Sequence, residues 1–278
     1  MSSTQLVRAV IPVLDLMIGQ VVLAKSGNRD EYRPVETPLT FSSHPLEVAK
    51  AMFNQTCCDW LYLADIDSFA GASPNWNVYN ELLNHGFGLW IDANWMIEDR
   101  FEQIHEKIES PGRLEIILSS ETLTSLDQFS KFSQLIERGI QPIFSLDRKS
   151  GQTITQPGEL SELAPIELVK EAYKHGVRSL IVLDLDSVGT MKGVPSKDVG
   201  VGPLIQEIKR ELDDMRIISG GGIREVDDVK SLLEAGCQHV LVASAIHELK
   251  LTPDDVMEFP VSPFELGAGS TLNQAVQE

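Results

Sequence analysis

Eight short apolar runs punctuate the chain, at residues 9–14, 60–64, 88–91, 114–118, 140–146, 179–183, 216–218 and 239–242. They are rich in Val, Ile and Leu and lack a clean in–out alternation. That is the pattern of parallel strands buried on both faces. Amphipathic stretches of helical period lie between them, at 45–54, 77–84, 123–137, 165–174, 199–212 and 226–234. Gly86, Gly139, Gly176 and Gly236 follow four of these and serve as helix stops. A strand followed by a helix or helix-like stretch, eight times over, predicts an α/β protein with a single (β/α)8 TIM barrel over residues 1–260. A doubly wound open sheet is the alternative, because strand count alone does not prove closure. The tail, 261–278, is weakly periodic and contains Pro, Gly, Ser and Gln, so it reads as a flexible extension.

An internal repeat supports the barrel. "LADIDSFAG" (63–71) resembles "LDLDSVGT" (183–190), "VIPVLD" ending at Asp15 resembles "PIFSLD" ending at Asp147, and "IILSSE" (116–121) resembles "VLVASA" (240–245). The offset is about 120 to 130 residues, close to half a barrel. Three matches in the same order point to a duplicated half-barrel.

The candidate chemistry falls at strand ends. Asp15 and Asp147 each close an apolar run, and in a barrel those ends share the mouth where active sites are built. Two carboxylates on opposite sides of a mouth suit general acid–base catalysis, provided one has a raised pKa. The strongest local motif is "ISGGGIREVDDVKSLLEAG", in which a strand runs into Gly220, Gly221 and Gly222 and then a helix. Successive glycine amides can cradle a phosphate. The next strand ends in the small residues Ala243 and Ser244, and loops after the seventh and eighth strands are the usual barrel phosphate site. Lys25 and Arg29 lie in a long polar loop that can supply a cation to a phosphate or carboxylate. Lys25, Asp65, Asp92, Asn94 and Asp184 are the further candidates for substrate contact. The six histidines show no metal spacing, and there is no GxGxxG or P-loop signature, so neither metal nor organic cofactor is implied.

Charge narrows the partners. The 278 residues carry a formal net charge of -18, which argues against nucleic acid and anionic membranes but not against a phosphorylated small molecule. The three cysteines, Cys57, Cys58 and Cys237, fit a reducing compartment and read as small buried hydrophobes. Residues 1–8 lack an apolar signal core, and no apolar run approaches the roughly 18 residues of a membrane span. The reading is a cytoplasmic protein of open oligomeric state.

The quoted motifs resemble the family of the two histidine-biosynthesis barrels, the phosphoribosylformimino-aminoimidazole-carboxamide ribotide isomerase and the cyclase partner of imidazole glycerol phosphate synthase. "VIPVLDLMIGQVV" is similar to the family's opening strand and loop and leans to the isomerase. "WLYLADIDSFAG", "IFSLDRKSG" and the triple-glycine motif match its second, fifth and seventh strands. The resemblance implies an Amadori-type aldose–ketose rearrangement of a phosphoribosyl compound without metal or cofactor. It places Asp15 and Asp147 on the catalytic pair, and Gly220, Gly221, Gly222, Ala243 and Ser244 on one of two phosphate grips. Three departures stand out. Asp92, Ala93 and Asn94 occupy the glycine-rich loop that grips the second phosphate, with Trp95 crowding it. Leu183 replaces a polar position of the sixth strand, and Val188 replaces a loop Asp. Two alternatives follow: a divergent paralogue acting on a monophosphate in methanopterin-type one-carbon cofactor synthesis, as in a branch found in methanogens and methylotrophs, or a non-catalytic phosphate-binding barrel.

Overall fold

The structure, a computed structural model, describes residues 5–24, 29–97, 100–109, 111–194, 200–259 and 261–264. Eight parallel strands form the barrel: β1 (Val10–Met17), β2 (Trp60–Asp65), β3 (Gly88–Asp92), β4 (Leu114–Ser119), β5 (Gln141–Lys149), β6 (Ser179–Asp184), β7 (Arg216–Gly220) and β8 (His239–Val242). Each pairs with its neighbour in sequence, and β8 returns to β1 through Val240↔Val10, Leu241↔Ile11 and Val242↔Pro12. The sheet therefore closes, and the open-sheet alternative falls.

The helices α1 (Pro45–Thr56), α2 (Trp76–Asn84), α3 (Arg100–Lys107), α4 (Ser130–Glu137), α5 (Pro165–Lys174), α6 (Gly202–Glu211), α7 (Val226–Ala235) and α8 (Pro253–Met257) alternate with the strands. One face of each strand packs with the helices in the larger apolar cluster. The other face fills the barrel with Ile11, Ile117, Ile143, Ile181, Ile218 and Leu241. Both faces are largely buried, which is why the strands lack polar alternation.

Sequence and structure differ in three places. α3, "RFEQIHEK", carries too little apolar area to announce itself, yet Phe101 and Ile104 are buried. The stretch 123–137 breaks into a 3-10 turn (Leu126–Phe129) and α4, where the Gln128 side chain accepts from the Thr124 amide at 2.6 Å. Cys57 is exposed as the left-handed cap of α1, whereas Cys58 and Cys237 are buried. Of the tail, Val261–Phe264 forms a strand antiparallel to Gln5–Arg8, while 265–278 lie outside the described residues.

The floor of the barrel is polar but paired. Glu115 accepts from the Trp90 indole at 3.0 Å and forms a buried ion pair with Arg216. Arg216 also donates to Ser179 at 2.9 Å and lies over the Trp90 ring. His239 meets Trp90 edge-on and bonds the Arg8 carbonyl at 3.0 Å, and burial pushes its imidazole down to about 3. Trp60 and Trp90 fill this layer, and a cavity opens at the opposite, C-terminal mouth. Removing one partner of a buried pair strands the other charge and typically costs about 3–5 kcal/mol. R216M is therefore expected to cut stability by roughly 3 kcal/mol in a urea melt. E115Q/R216M, which removes both charges, is expected to recover most of it.

Candidate active site

A cavity of about 510 Å³ opens at the C-terminal mouth. Its polar wall is set by strand register. Asp15 faces Ala64 and Ala64 faces Asp92 across β1, β2 and β3, while Asp147 faces Leu183 across β5 and β6. Residues in register on parallel strands share a face, so Asp15, Asp92 and Asp147 all point inward and line the cavity. Tyr62, Glu121, Lys149 and His247 join them there.

The two strand-end aspartates have different surroundings. Asp147 accepts from the Ser119 hydroxyl at 2.5 Å and the Ser145 hydroxyl at 3.0 Å. The Ser119 oxygen in turn accepts from the Glu121 amide at 3.1 Å, which fixes its direction. Among the described residues no such donor reaches Asp15. Burial pushes Asp15 up to about 7. Asp147 rises only to about 6, because burial is opposed by the serine hydroxyls. Burial, Asp147 and Glu121 hold Asp92 well above the usual carboxylate range, although the Tyr62 hydroxyl donates to it at 3.4 Å.

Both hairpins that follow these aspartates are built alike. After β1 the chain turns through Ile18 and Gly19, and after β5 through Ser150 and Gly151, all with positive φ. The Ile18 amide donates to Asp67 at 2.7 Å, and the Ser150 amide donates to Asp186 at 2.5 Å. Asp67 and Asp186 stand at matching positions of the internal repeat. The repeat also places Ala64, Ile66 and Phe69 opposite Leu183, Leu185 and Val188, and all six line the cavity. The β6 side is therefore apolar at both Leu183 and Val188.

At the β7–β8 end, Gly221 and Gly222 have φ of 91° and 76° and line the cavity with Ala243 and Ser244. Among the described residues, the amides of Gly221 and Gly222 find no backbone acceptor, whereas the Gly222 carbonyl accepts from Gly193. A Cβ on Gly222 would come within 2.9 Å of the Gly193 carbonyl oxygen. Gly220 has a different role. It does not line the cavity, and a Cβ there would strike the Leu241 backbone at 2.6 Å, so its lack of a side chain lets β7 and β8 close.

Other candidates turn away. Asp65 is buried behind β2, where it accepts from the Ser68 and Asn75 amides and the Tyr79 hydroxyl, a capping task. Asp184 accepts from the Asp186 amide at 3.1 Å and does not line the cavity. Asn94 sits in a left-handed turn outside the lining, with its carbonyl bonded to Arg100. Trp95 does not crowd the mouth. Its indole donates to the Ile91 carbonyl at 3.0 Å and packs against Trp76 in the helix layer. Lys25 lies outside the described residues. Ser119, Ser145, Tyr62, Glu121, Lys149 and His247 escaped the sequence reading. Ser145 was signalled by sharing the strand face of Asp147, two residues on. Among the described residues no cluster of three or more His, Cys, Asp and Glu is arranged to hold a metal. No described helix is long and apolar enough to cross a membrane.

A closed (β/α)8 barrel with an acid-lined cavity at its C-terminal mouth has the architecture of the barrel enzymes. The chain belongs to the histidine biosynthesis protein family, whose model matches residues 9–252. It is 30% identical over 250 residues to an uncharacterized protein of Methanocaldococcus jannaschii, covering 89% of this chain and 97% of that one. It is 26% identical over 255 residues to 1-(5-phosphoribosyl)-5-((5-phosphoribosylamino)methylideneamino)imidazole-4-carboxamide isomerase of Parabacteroides distasonis, covering 90% and 98%. The isomerase of that name from Methanosphaera stadtmanae is 25% identical over 263 residues, covering 90% and 98%.

The raised carboxyls carry a sign for stability. Between the ordinary value of 3.8 and about 7, the folded chain keeps a proton on Asp15 that the unfolded chain has released. Stability therefore falls as pH rises through that window. D15N is expected to raise Tm by roughly 5 °C at pH 8 and by little at pH 4, read by calorimetry.

Proposed function

We propose that this chain is an isomerase-like enzyme that holds a phosphorylated ribosyl compound at Gly221, Gly222, Ala243 and Ser244 and rearranges it with Asp15 and Asp147. The observation that carries the reading is the pairing of two inward carboxylates of unequal environment with glycine amides that have no backbone acceptor among the described residues, at one end of the same cavity. Relatives named as isomerases of a phosphoribosyl compound support it.

The chemistry is an Amadori-type aldose–ketose rearrangement. A proton delivered to the ring oxygen opens the aminated sugar to an iminium ion. Loss of the neighbouring C–H proton to a base gives an enolamine, which tautomerises to the aminoketose. The proton taken from carbon is returned to solvent or substrate, and no external oxidant or reductant is required. Asp15, with no hydrogen-bond donor among the described residues and raised to about 7, suits the acid. Asp147, kept ionised by Ser119 and Ser145, suits the base. The apolar β6 wall at Leu183, Leu185 and Val188 excludes water from the reacting carbon.

A second reading, a lyase or synthase acting on a monophosphate in one-carbon cofactor synthesis, uses the same grip and carboxylates. It is favoured by the acidic loop at Asp92, Ala93 and Asn94 opposite the glycine loop. Mass analysis of the product separates the two, since only the first reading predicts an isomer of unchanged mass.

In a turnover assay of that isomerisation, D15N and D147N are each expected to lower kcat by at least about 100-fold, the usual scale of a positioned acid or base. Unchanged turnover in either would remove that residue from the mechanism. Removing a donor raises the pKa of the carboxylate it served, so S145A is expected to move the acidic limb of the pH–rate profile upward from about 6 while leaving the alkaline limb in place.

A further inference from the structure

The two ends of the cavity differ in chemistry. One end carries the Gly221 and Gly222 amides and Ser244. The other is walled by Asp92, Glu121 and Tyr62, with Asp147 between. Asp92 is 6% exposed, and its Oδ1 has no hydrogen-bond partner among the described residues. Tyr62 donates to its other oxygen only at 3.4 Å, near the limit of a hydrogen bond. A buried carboxyl oxygen left unpaired beside a cavity is costly, and a ligand donor at that wall relieves the cost.

The cation on this side is already committed. Arg100, 4% exposed, donates to the carbonyls of Ser68 at 2.9 Å, Ala93 at 3.0 Å and Asn94 at 3.2 Å, and also to Ala72. Its guanidinium thereby staples the loop after β2 to the loop after β3 and stays out of the cavity lining. The carbonyls of both loops are turned to Arg100. Lys149 contributes a cation on the exposed rim, set against Asp92, Glu121 and Asp147. A dianion at this end would meet the carboxyl oxygens of Asp92, Glu121 and Asp147, with Arg100 committed to carbonyls and Lys149 at the rim set against three acids. Amine, amide or hydroxyl hydrogens would meet acceptors.

We infer that the cavity selects a phosphate monoester whose far end carries hydrogen-bond donors and no second phosphate. The inference rests on the phosphate grip proposed above and adds what lies opposite it. It narrows the substrate to a sugar phosphate with an amino- or hydroxyl-bearing end. The two isomerase relatives have names that specify two phosphoribosyl groups, so this chain differs from them at one end of its cavity.

Calorimetric titration of the full chain with inorganic phosphate, fructose 6-phosphate and fructose 1,6-bisphosphate tests both layers. Fructose 6-phosphate is expected to bind at least about tenfold more tightly than the bisphosphate, the scale of one unfavourable charged contact. S244D, which sets a carboxylate in the grip, is expected to abolish binding of all three. D92N keeps the size of the side chain and sets an amide N–H donor at the wall. In D92N the preference for the monophosphate is expected to shrink severalfold. Equal or tighter binding of the bisphosphate by the wild-type chain overturns the inference while leaving the grip standing. Failure of all three ligands to bind the wild-type chain, or binding undiminished in S244D, removes the grip itself and the inference with it. Should D92N fail to fold, the wild-type ratio alone decides.

Discussion

Closure of the barrel between Val240 and Val10 is the constraint on which the site depends. Once the eight strands form a ring, the two-residue period of a strand sends every second side chain inward. The floor then fills with Trp60, Trp90 and the Glu115–Arg216 pair, and the middle with branched aliphatic side chains. Only the upper row is left for chemistry, and it receives Asp15, Asp92, Asp147 and Ser119. Closure itself leans on one missing side chain, since Gly220 lets the Leu241 backbone come close. The glycine that reads in sequence as part of a phosphate loop is thus a packing residue, and the cavity lining begins one residue later, at Gly221.

The duplicated halves explain why two carboxylates face one cavity. Asp15 and Asp147 precede hairpins with the same left-handed turn, and each turn is tied by its amide to an aspartate from the next strand's loop, Asp67 or Asp186. Each half therefore carries its own device for holding an acid at the mouth. The halves then diverge in what surrounds the acid. Around Asp147 the second half retains Ser145 on the same strand face, and β4 supplies Ser119. Around Asp15 the matching strand position is Val13, an apolar lining residue. One duplicated scaffold thereby produces two carboxyls of unequal proton affinity.

Much of this was legible in the chain. All eight strands and the two facing aspartates followed from apolar runs ending in Asp, because burial on both faces leaves a strong mark on composition. What failed was parity. Asp65 and Asp184 sit one residue beyond the inward positions Ala64 and Leu183, so they point to the helix layer, where Asp65 caps a turn and Asp184 braces one. Trp95, a bulky residue near the mouth, likewise belongs to the outer layer. A reading that alternates faces along each strand would have sorted these without coordinates. The role of Arg100 was not legible, because its four carbonyl partners come from two separate loops.

Arg100 also changes the meaning of the acidic loop at Asp92, Ala93 and Asn94. In sequence, that segment is simply a lost anion site. In the fold, an arginine behind the wall binds the loop carbonyls and a carboxyl faces the cavity. Degeneration alone would leave a loose loop and an unmatched space. Instead the turn at Asn94 is left-handed and bonded, and Ala93 is fully buried. Such an arrangement stabilises a cavity with an acceptor-rich end. That is the property to expect of a site remodelled for another ligand rather than one abandoned.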